Sequence, residues 1–369
     1  MTSAPSQTPR TSSTTAPPAT GGAGLRALAS IRPVVAPERL LADLVPPRHF
    51  DDARFATYRA SADHPSQAAT VARLEQVAAE LVRPRRGGLF SRRRTAAPAV
   101  YLDGGFGVGK THLLTSLAHA VGLERSAYGT FVEYTNLVGA LGFAPTVEAL
   151  ATRTLVCIDE FELDDPGDTV LMSRLLRELA DRGVALAATS NTLPDALGEG
   201  RFAAEDFLRE IQAMAARFEV MRVDGEDYRH RAVVTHAEPV GGDTIAATVA
   251  RTPGATFDAF DDVLAHLATV HPSRYGAMLD DVPLVGLTGV RPVTEQSAAL
   301  RLVVLVDRLY DRDIPVLLGR DDPAQGGTDV PALFTDAMLR GGYRKKYYRA
   351  LSRLGSLAED GRAVVARQG

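Results

Sequence analysis

Apolar positions along the chain alternate between short, nearly solid runs and longer stripes at helical spacing. Ala99 to Leu102, Leu155 to Ile158, Val184 to Thr189 and Phe218 to Val223 are runs of the buried-strand kind. Between them the apolar residues recur every three or four positions: Leu113, Leu114, Leu117 and Val121, then Leu171, Leu175 and Leu179, then Phe207, Ile211 and Met214 within a helix expected over 204–216. Strands alternating with amphipathic helices predict an α/β fold, a parallel sheet with helices on both faces. Thr130 to Tyr134 reads as a further strand, and Leu137 to Leu150 as one or two short helices.

The flanks carry weaker patterns. From Arg26 to about Val82 the chain reads as helical, with Val71, Leu74, Ala78 and Leu81 on one face behind the His64-Pro65-Ser66 boundary. Past Asp224, Phe257 to Val270 reads as a helix, Leu300 to Tyr310 as a strand or helix core, and Ile314 to Leu318 as a strand. Near the end Arg344, Lys345, Lys346, Arg349 and Arg353 share a helical segment, with Arg349 and Arg353 four apart on one face. Such a face is either solvated or turned toward a nucleotide. The expected division is a disordered tail over 1–24, rich in Ser, Thr, Pro, Ala and Gly, and a helical segment with an Arg-rich linker over 25–95. A nucleotide-binding core over 96–235 follows, and then a smaller C-terminal α/β, lid-like domain over 236–369.

Between the first strand and its helix stands Gly104-Gly105-Phe106-Gly107-Val108-Gly109-Lys110-Thr111, which fits G-x-x-x-x-G-K-S/T at every fixed position. Glycines let successive N–H groups turn inward around phosphate oxygens, Lys110 can reach the β- and γ-phosphates, and the Thr111 hydroxyl can ligate Mg²⁺. The helix N-terminus that follows adds unpaired N–H groups and the positive end of its dipole. A dinucleotide fingerprint is not matched, and Lys110-Thr111 would have no task in one.

The second strand run ends in Asp159-Glu160. An acid at that strand end lies beside the phosphate loop and can hold the Mg²⁺ that Thr111 touches, while Glu160 can orient and deprotonate a water in line with the γ-phosphate. The duller alternative is a pair of acids that cap the next helix. Asn191 closes the third run as either a turn residue or an amide reaching the γ-phosphate or attacking water.

Composition narrows the setting. The 369 residues suit two or three domains, and a net charge of −4 gives no global attraction to nucleic acid. The single cysteine, Cys157, cannot form an internal disulfide, no apolar run approaches the roughly 20 residues of a membrane span, and no secretory leader pattern opens the chain. A cytoplasmic protein without an integral membrane segment is expected. The eight histidines lack the paired spacing of a metal site. Six arginines between Arg83 and Arg94 surround a single aromatic, Phe90, which favours a solvated linker over a nucleic-acid arm.

Taken in order, YLDGGFGVGKTHLL, CIDEFELDDPGD with LMSRLL, ATSN, RFEVMRVDGEDYRHR, LVDRLYDRDIPVLL and RALSRL resemble the ZapE family of AAA+ ATPases, bacterial division-associated proteins similar to a mitochondrial AFG-one-like group. The resemblance covers roughly residues 60–354. It implies ATP and Mg²⁺ as ligands, Lys110 and Thr111 as Walker A residues, Asp159 and Glu160 as Walker B, Asn191 as sensor 1, Arg217 as the interface arginine, and Arg349 at the sensor 2 position, with Arg353 as the second choice. It further implies a homo-oligomer, expected to be a hexamer, acting on a protein partner such as a division-ring component. Of the rival classes, a GTPase lacks its guanine motif, and a small-molecule kinase fits the Asp159-Glu160 pair less well than attack by water. A replication-loader-type ATPase that grips single-stranded DNA would need interleaved aromatics in a basic groove.

Overall fold

The structure is a computed structural model that describes residues 25–83, 96–105, 107–161, 166–192, 212, 215–225, 239–320 and 333–368. The expected tail over 1–24, the Arg-rich stretch beyond Arg83, Phe106 and most of the expected helix over 204–216 lie outside the described residues.

Five parallel strands form the first sheet: β1 (Ala99–Gly104), β2 (Ser126–Thr130), β3 (Leu155–Asp159), β4 (Ala185–Ser190) and β5 (Glu219–Val223), in the order β2-β3-β4-β1-β5. α1 (Pro37–Ala42) and α2 (Pro65–Val82) precede it; α3 (Lys110–Val121), α4 (Phe131–Leu141), α5 (Phe143–Leu150) and α6 (Pro166–Asp181) link its strands. Alternation along the strands sorts the core into two layers. Val100 and Leu102 pack with Leu113, Leu114 and Leu117 of α3 and Leu74 and Val77 of α2. Tyr101 and Ile158 point the other way, onto Phe131 and Tyr134 of α4 and Met172, Leu175 and Leu179 of α6. All strands run parallel, so their C-terminal ends share one edge, and the order reverses around β1. In such sheets that edge is where ligands bind.

Two expectations fail here. Thr130 to Tyr134 is not a strand: the strand is Ser126–Thr130, and Thr130 caps α4. Its hydroxyl accepts from Glu133 N at 3.3 Å while the Glu133 carboxylate accepts from Thr130 N at 2.7 Å, and this capping box outweighs the β preference of Phe131, Val132 and Tyr134. The stretch 26–82 is helical only in α1, α2 and three short 3-10 turns.

The second sheet is smaller and also wholly parallel: β6 (Val240–Gly241), β7 (Thr256–Ala259), β8 (Val285–Thr288) and β9 (Val316–Arg320) in the order β6-β9-β8-β7. α7 (Gly242–Ala250) covers one face through Ile245 and Val249. α8 (Phe260–Leu267), α9 (Tyr275–Met278), α10 (Gln296–Asp311), α11 (Asp336–Arg340) and α12 (Arg344–Gln368) enclose the larger core on the other. The helix expected over Phe257 to Val270 is thus a strand followed by a helix, because β7 is fixed by distant partners. Thr256 pairs with Val285, Phe257 N donates to Arg26 O at 2.9 Å, and the buried Asp258 carboxylate accepts from Leu28 N and Ala29 N at 2.8 and 2.9 Å. No local periodicity encodes such contacts. Leu300 to Tyr310 resolves as helix, within α10. Among the described residues no helix is long and apolar enough to cross a membrane.

α12 lies on β9 through a backbone approach at Gly361, where an added Cβ would stand 2.2 Å from the Val316 carbonyl oxygen. Gly361→Ala is therefore expected to destabilise the chain by about 1–3 kcal/mol in urea unfolding. Unchanged stability would mean that α12 is not seated on β9 in this way.

Candidate functional site

The phosphate-type loop leaves β1 and enters α3 at the C-terminal edge of the first sheet. Geometry requires glycine at Gly104 and Gly109, and Gly107 also has a positive φ, 76°. Gly109 has φ 89°, a left-handed conformation, and a Cβ there would stand 2.6 Å from the Tyr58 ring; at Gly104 a Cβ would stand 2.3 Å from the Val223 carbonyl oxygen of β5. Tyr58 also donates its hydroxyl to Val108 O at 2.8 Å, so the segment before α2 braces the loop from outside. Lys110, the first residue of α3, is buried and extends along the loop, donating to Gly104 O at 2.9 Å, Gly105 O at 2.6 Å and Asn191 Oδ1 at 2.8 Å. Asn191 follows β4, which lies between β1 and β3, so the strand order carries its amide to Lys110.

Asp159 ends β3 as a buried carboxylate. Its Oδ1 accepts from Thr111 Oγ1 at 3.3 Å, from Glu160 N at 3.1 Å and from the Thr189 hydroxyl, and its Oδ2 accepts from Tyr128 Oη at 3.0 Å. Burial, and then the neighbouring Glu160 charge, push its pKa above the usual carboxylate range, against the pull of the Thr189, Tyr128 and Thr111 hydroxyls. Glu160 has φ 54°, a conformation uncommon and strained outside glycine. It is held by its N–H, which also reaches Thr189 Oγ1 at 3.1 Å. Beyond the turn the Glu160 carboxylate meets α12, the helix that lies on β9 of the second sheet. Burial raises the pKa of the nearby Cys157 thiol, so no reactive thiolate stands beside the site.

Arg349 of α12 meets Glu160. One guanidinium nitrogen is in short contact with the Glu160 carboxylate and the other donates to Asp307 Oδ2 at 2.7 Å. Arg353, one turn on, donates to Asp307 Oδ1 at 2.6 Å, lies 3.9 Å from Glu160 and covers the Tyr310 ring at 5.0 Å. Burial would raise the Asp307 pKa, but the two guanidiniums prevail and hold it below the usual range. Next to it on α10, Arg308 pairs with Glu133 of α4 at 2.7 Å and with Asp311 at 3.5 Å.

The structure thus brings together Gly104, Gly105, Gly107, Val108, Gly109, Lys110, Thr111, Asp159, Glu160, Asn191 and Arg349 around one sheet edge. Arg217 is elsewhere. It precedes β5, at the opposite end of the strands, half exposed and 3.5 Å from Asp181. Four residues that contact the site were not singled out from sequence. Thr189 and Asp307 stand inside recognisable segments, ATSN and LVDRLYDRDIPVLL, whereas nothing local marks Tyr58 or Tyr128. The arrangement offers amide groups and an ammonium for an anion, and beside them the oxygens of Thr111 and Asp159. Such hard oxygen donors suit Mg²⁺, which binds through one or two protein ligands plus phosphates.

The model of the AFG1-like ATPase family matches residues 34–248 and 237–363. The cell division protein ZapE of Escherichia coli (strain K12) is 28% identical over 321 residues, covering 70% of this chain and 84% of that protein. An uncharacterized protein of Schizosaccharomyces pombe is 30% identical over 147 residues, 35% of this chain and 32% of that one. Among solved structures, domain III of the Thermotoga maritima replication initiation protein DnaA overlays with a TM-score of 0.37 at 20% identity, covering 56% of this chain and 74% of that one.

The charges under the site make stability depend on pH. Asp311 has its pKa pushed up to about 6, by burial above all, with Arg308 and Arg353 opposing. A carboxyl raised in the folded state stabilises below its unfolded pKa of about 4, and that contribution is lost as pH rises through about 6. Asp311→Asn does not ionise, so in urea unfolding its stability relative to the unsubstituted chain is expected to climb by about 2 kcal/mol between pH 4.5 and 8. A difference that stays flat over that range would contradict the assignment.

Proposed function

Because the chain belongs to the AFG1-like ATPase family, we propose that it is a Mg²⁺-dependent AAA+ ATPase whose hydrolysis cycle does conformational work on a protein partner in cell division. The observation that carries this reading is the convergence of Lys110, Thr111, Asp159, Glu160 and Asn191 on one sheet edge. The cell-division setting is supported by the ZapE relative alone, and it goes with a cytoplasmic location, peripheral at the division site.

In this mechanism the loop amides and the Lys110 ammonium bind the β- and γ-phosphates, and Lys110 is already oriented along the cradle by Gly104 O, Gly105 O and Asn191. Thr111 and Asp159 are the residues that would hold the metal. Bound Mg²⁺ supplies neutralisation of the charge that develops on the phosphate oxygens. Tyr128, Thr189 and the Glu160 amide fix the Asp159 carboxylate, so it does not reorient on binding. Glu160 accepts the proton of the attacking water, and Asn191 aligns that water or the terminal phosphate. Arg349, beside Glu160, senses the γ-phosphate.

The residue pair Glu160 and Asp159 separates binding from turnover. Glu160→Gln keeps shape and polarity but cannot take the proton, so ATP stays bound and turnover falls by about 10²–10⁴-fold. Near-normal hydrolysis with intact binding would reduce Glu160 to a structural acid.

Arg217 acts in the neighbouring subunit of a homo-oligomer, for which a hexamer is the expected size. Its place before β5, at the far end of the strands from its own loop, leaves it no route to its own nucleotide. Its weak 3.5 Å contact with the exposed Asp181 leaves the guanidinium available to a neighbour, where such a finger is worth roughly 10³–10⁵ in rate. Arg217→Ala and Glu160→Gln chains are expected to be nearly inactive alone and to regain part of the activity when mixed, through interfaces that pair an intact site with an intact finger. Mixtures shown by sizing to contain both chains, yet without recovery, would reject a shared site.

A further inference from the structure

Asp307 is a buried carboxylate with both oxygens engaged by arginines of another helix, Oδ2 by Arg349 at 2.7 Å and Oδ1 by Arg353 at 2.6 Å. It belongs to α10, under the second sheet, yet the fork it holds opens onto Glu160 at the end of β3. The guanidinium of Arg349 is divided: Nη2 rests on Asp307 and Nη1 on Glu160. Arg353 is steadied by the Tyr310 ring and repeats the first contact without reaching Glu160 closer than 3.9 Å. These four side chains carry two negative and two positive charges. Its structural reading is a buried ion-pair network that ties the two sheets together, but such a network is weak evidence for stability, since desolvation offsets much of the attraction. The asymmetry of Arg349 is what points further.

We propose that Asp307 is a positioning residue for ATP hydrolysis, an anchor about which Arg349 turns between Glu160 and the terminal phosphate of the nucleotide. The proposal rests on the ATPase reading given above. While Nη1 pairs with Glu160, that carboxylate is occupied as an ion-pair partner and is not free to accept the proton of water. A γ-phosphate, with more charge than a carboxylate, competes for the same Nη1. With Nη2 retained on Asp307, the guanidinium swings over a short arc and keeps its orientation. Glu160 is released in the same movement, so the general base becomes available only when a triphosphate is present. Arg353, on the other oxygen, stops the Asp307 carboxylate from rotating after Arg349. Asp307 never touches the nucleotide and acts through Arg349.

The test is a double-mutant cycle on the full chain, read as kcat, KM, thermal unfolding and the affinity for a fluorescent ATP analogue. Asp307→Asn and Arg349→Ala are each expected to lower kcat by roughly 10-fold or more, and the double variant to be no slower than Arg349→Ala, since residues acting through one contact are non-additive. Affinity of Asp307→Asn for the analogue, carried by the Lys110 loop, stays near that of the unsubstituted chain, whereas Arg349→Ala, which removes the group that meets the terminal phosphate, binds it less tightly. Removing one carboxylate leaves two guanidiniums beside a single acid, so Asp307→Asn can fail to fold. Asp307→Glu keeps the charge and moves the anchor by one methylene; because misplacement by about 1 Å can cost roughly 10²-fold, it is expected to lower kcat at an unchanged melting temperature. Normal turnover by Asp307→Glu or by Arg349→Ala overturns the proposal, as does a double variant whose loss is the product of the single losses. The ATPase reading fails separately: an unsubstituted chain that turns over no ATP overturns both, whereas a hydrolysing chain with indifferent Asp307 variants overturns only the anchor.

Discussion

A carboxylate buried at the end of β3 is the constraint on which the rest of the site depends. Asp159 lies inside an apolar parallel sheet where an unsatisfied charge is costly, and every group that satisfies it comes from a different element: Thr111 from α3, Tyr128 from β2, Thr189 from β4 and the amide of Glu160 from the turn beyond. Meeting that demand fixes the relative depth of three strands and one helix. It also fixes the left-handed turn at Glu160, which aims a second carboxylate out of the sheet. The binding acid and the proposed base are consecutive residues because one turn gives them opposite surroundings.

The second constraint is a set of ion pairs between elements of the two sheets. α10 contributes Asp307 and Arg308 to it, and each finds its partners on a different element: Arg349 and Arg353 on α12, Glu133 on α4. Glu133 at the same time closes the capping box of α4, so the helix that follows β2 is tied to the second sheet by the side chain that starts it. Ion pairs that share partners in this way have discrete alternative pairings. That is the physical requirement for the exchange of partners proposed for Arg349.

The first sheet was legible in the sequence because its strands are short apolar runs and its helices carry strict spacing. Four of its five strands are where those runs predict them, as are Lys110, Thr111, Asp159 and Asn191 around one edge. The strand read at Thr130 to Tyr134 was misplaced because β-prone residues fill the first turn of α4, and the Thr130–Glu133 reciprocity that makes it a helix is a two-residue signal inside that run. The second sheet was poorly legible for another reason. β7 is held by Leu25 to Ala29, more than 200 positions earlier, through Asp258, and a window along the chain contains no trace of that pairing. Tyr58 and Tyr128 escaped notice for the same cause, since each reaches the site from an element whose position only the fold determines. Asp307 was within a segment that the family resemblance included, but nothing in that segment singles it out until Arg349 and Arg353 are seen against it.

The central claim is that the loop around Lys110 is a triphosphate cradle. Titration calorimetry of Mg²⁺-ATP into the unsubstituted chain and into Lys110→Ala tests it most directly, because the ammonium is the only side-chain cation the loop itself supplies and Asn191 is its partner at 2.8 Å. The account predicts saturable binding by the unsubstituted chain and its loss in the variant, with the melting temperature of the nucleotide-free proteins alike. Equal affinity in the two chains would contradict it.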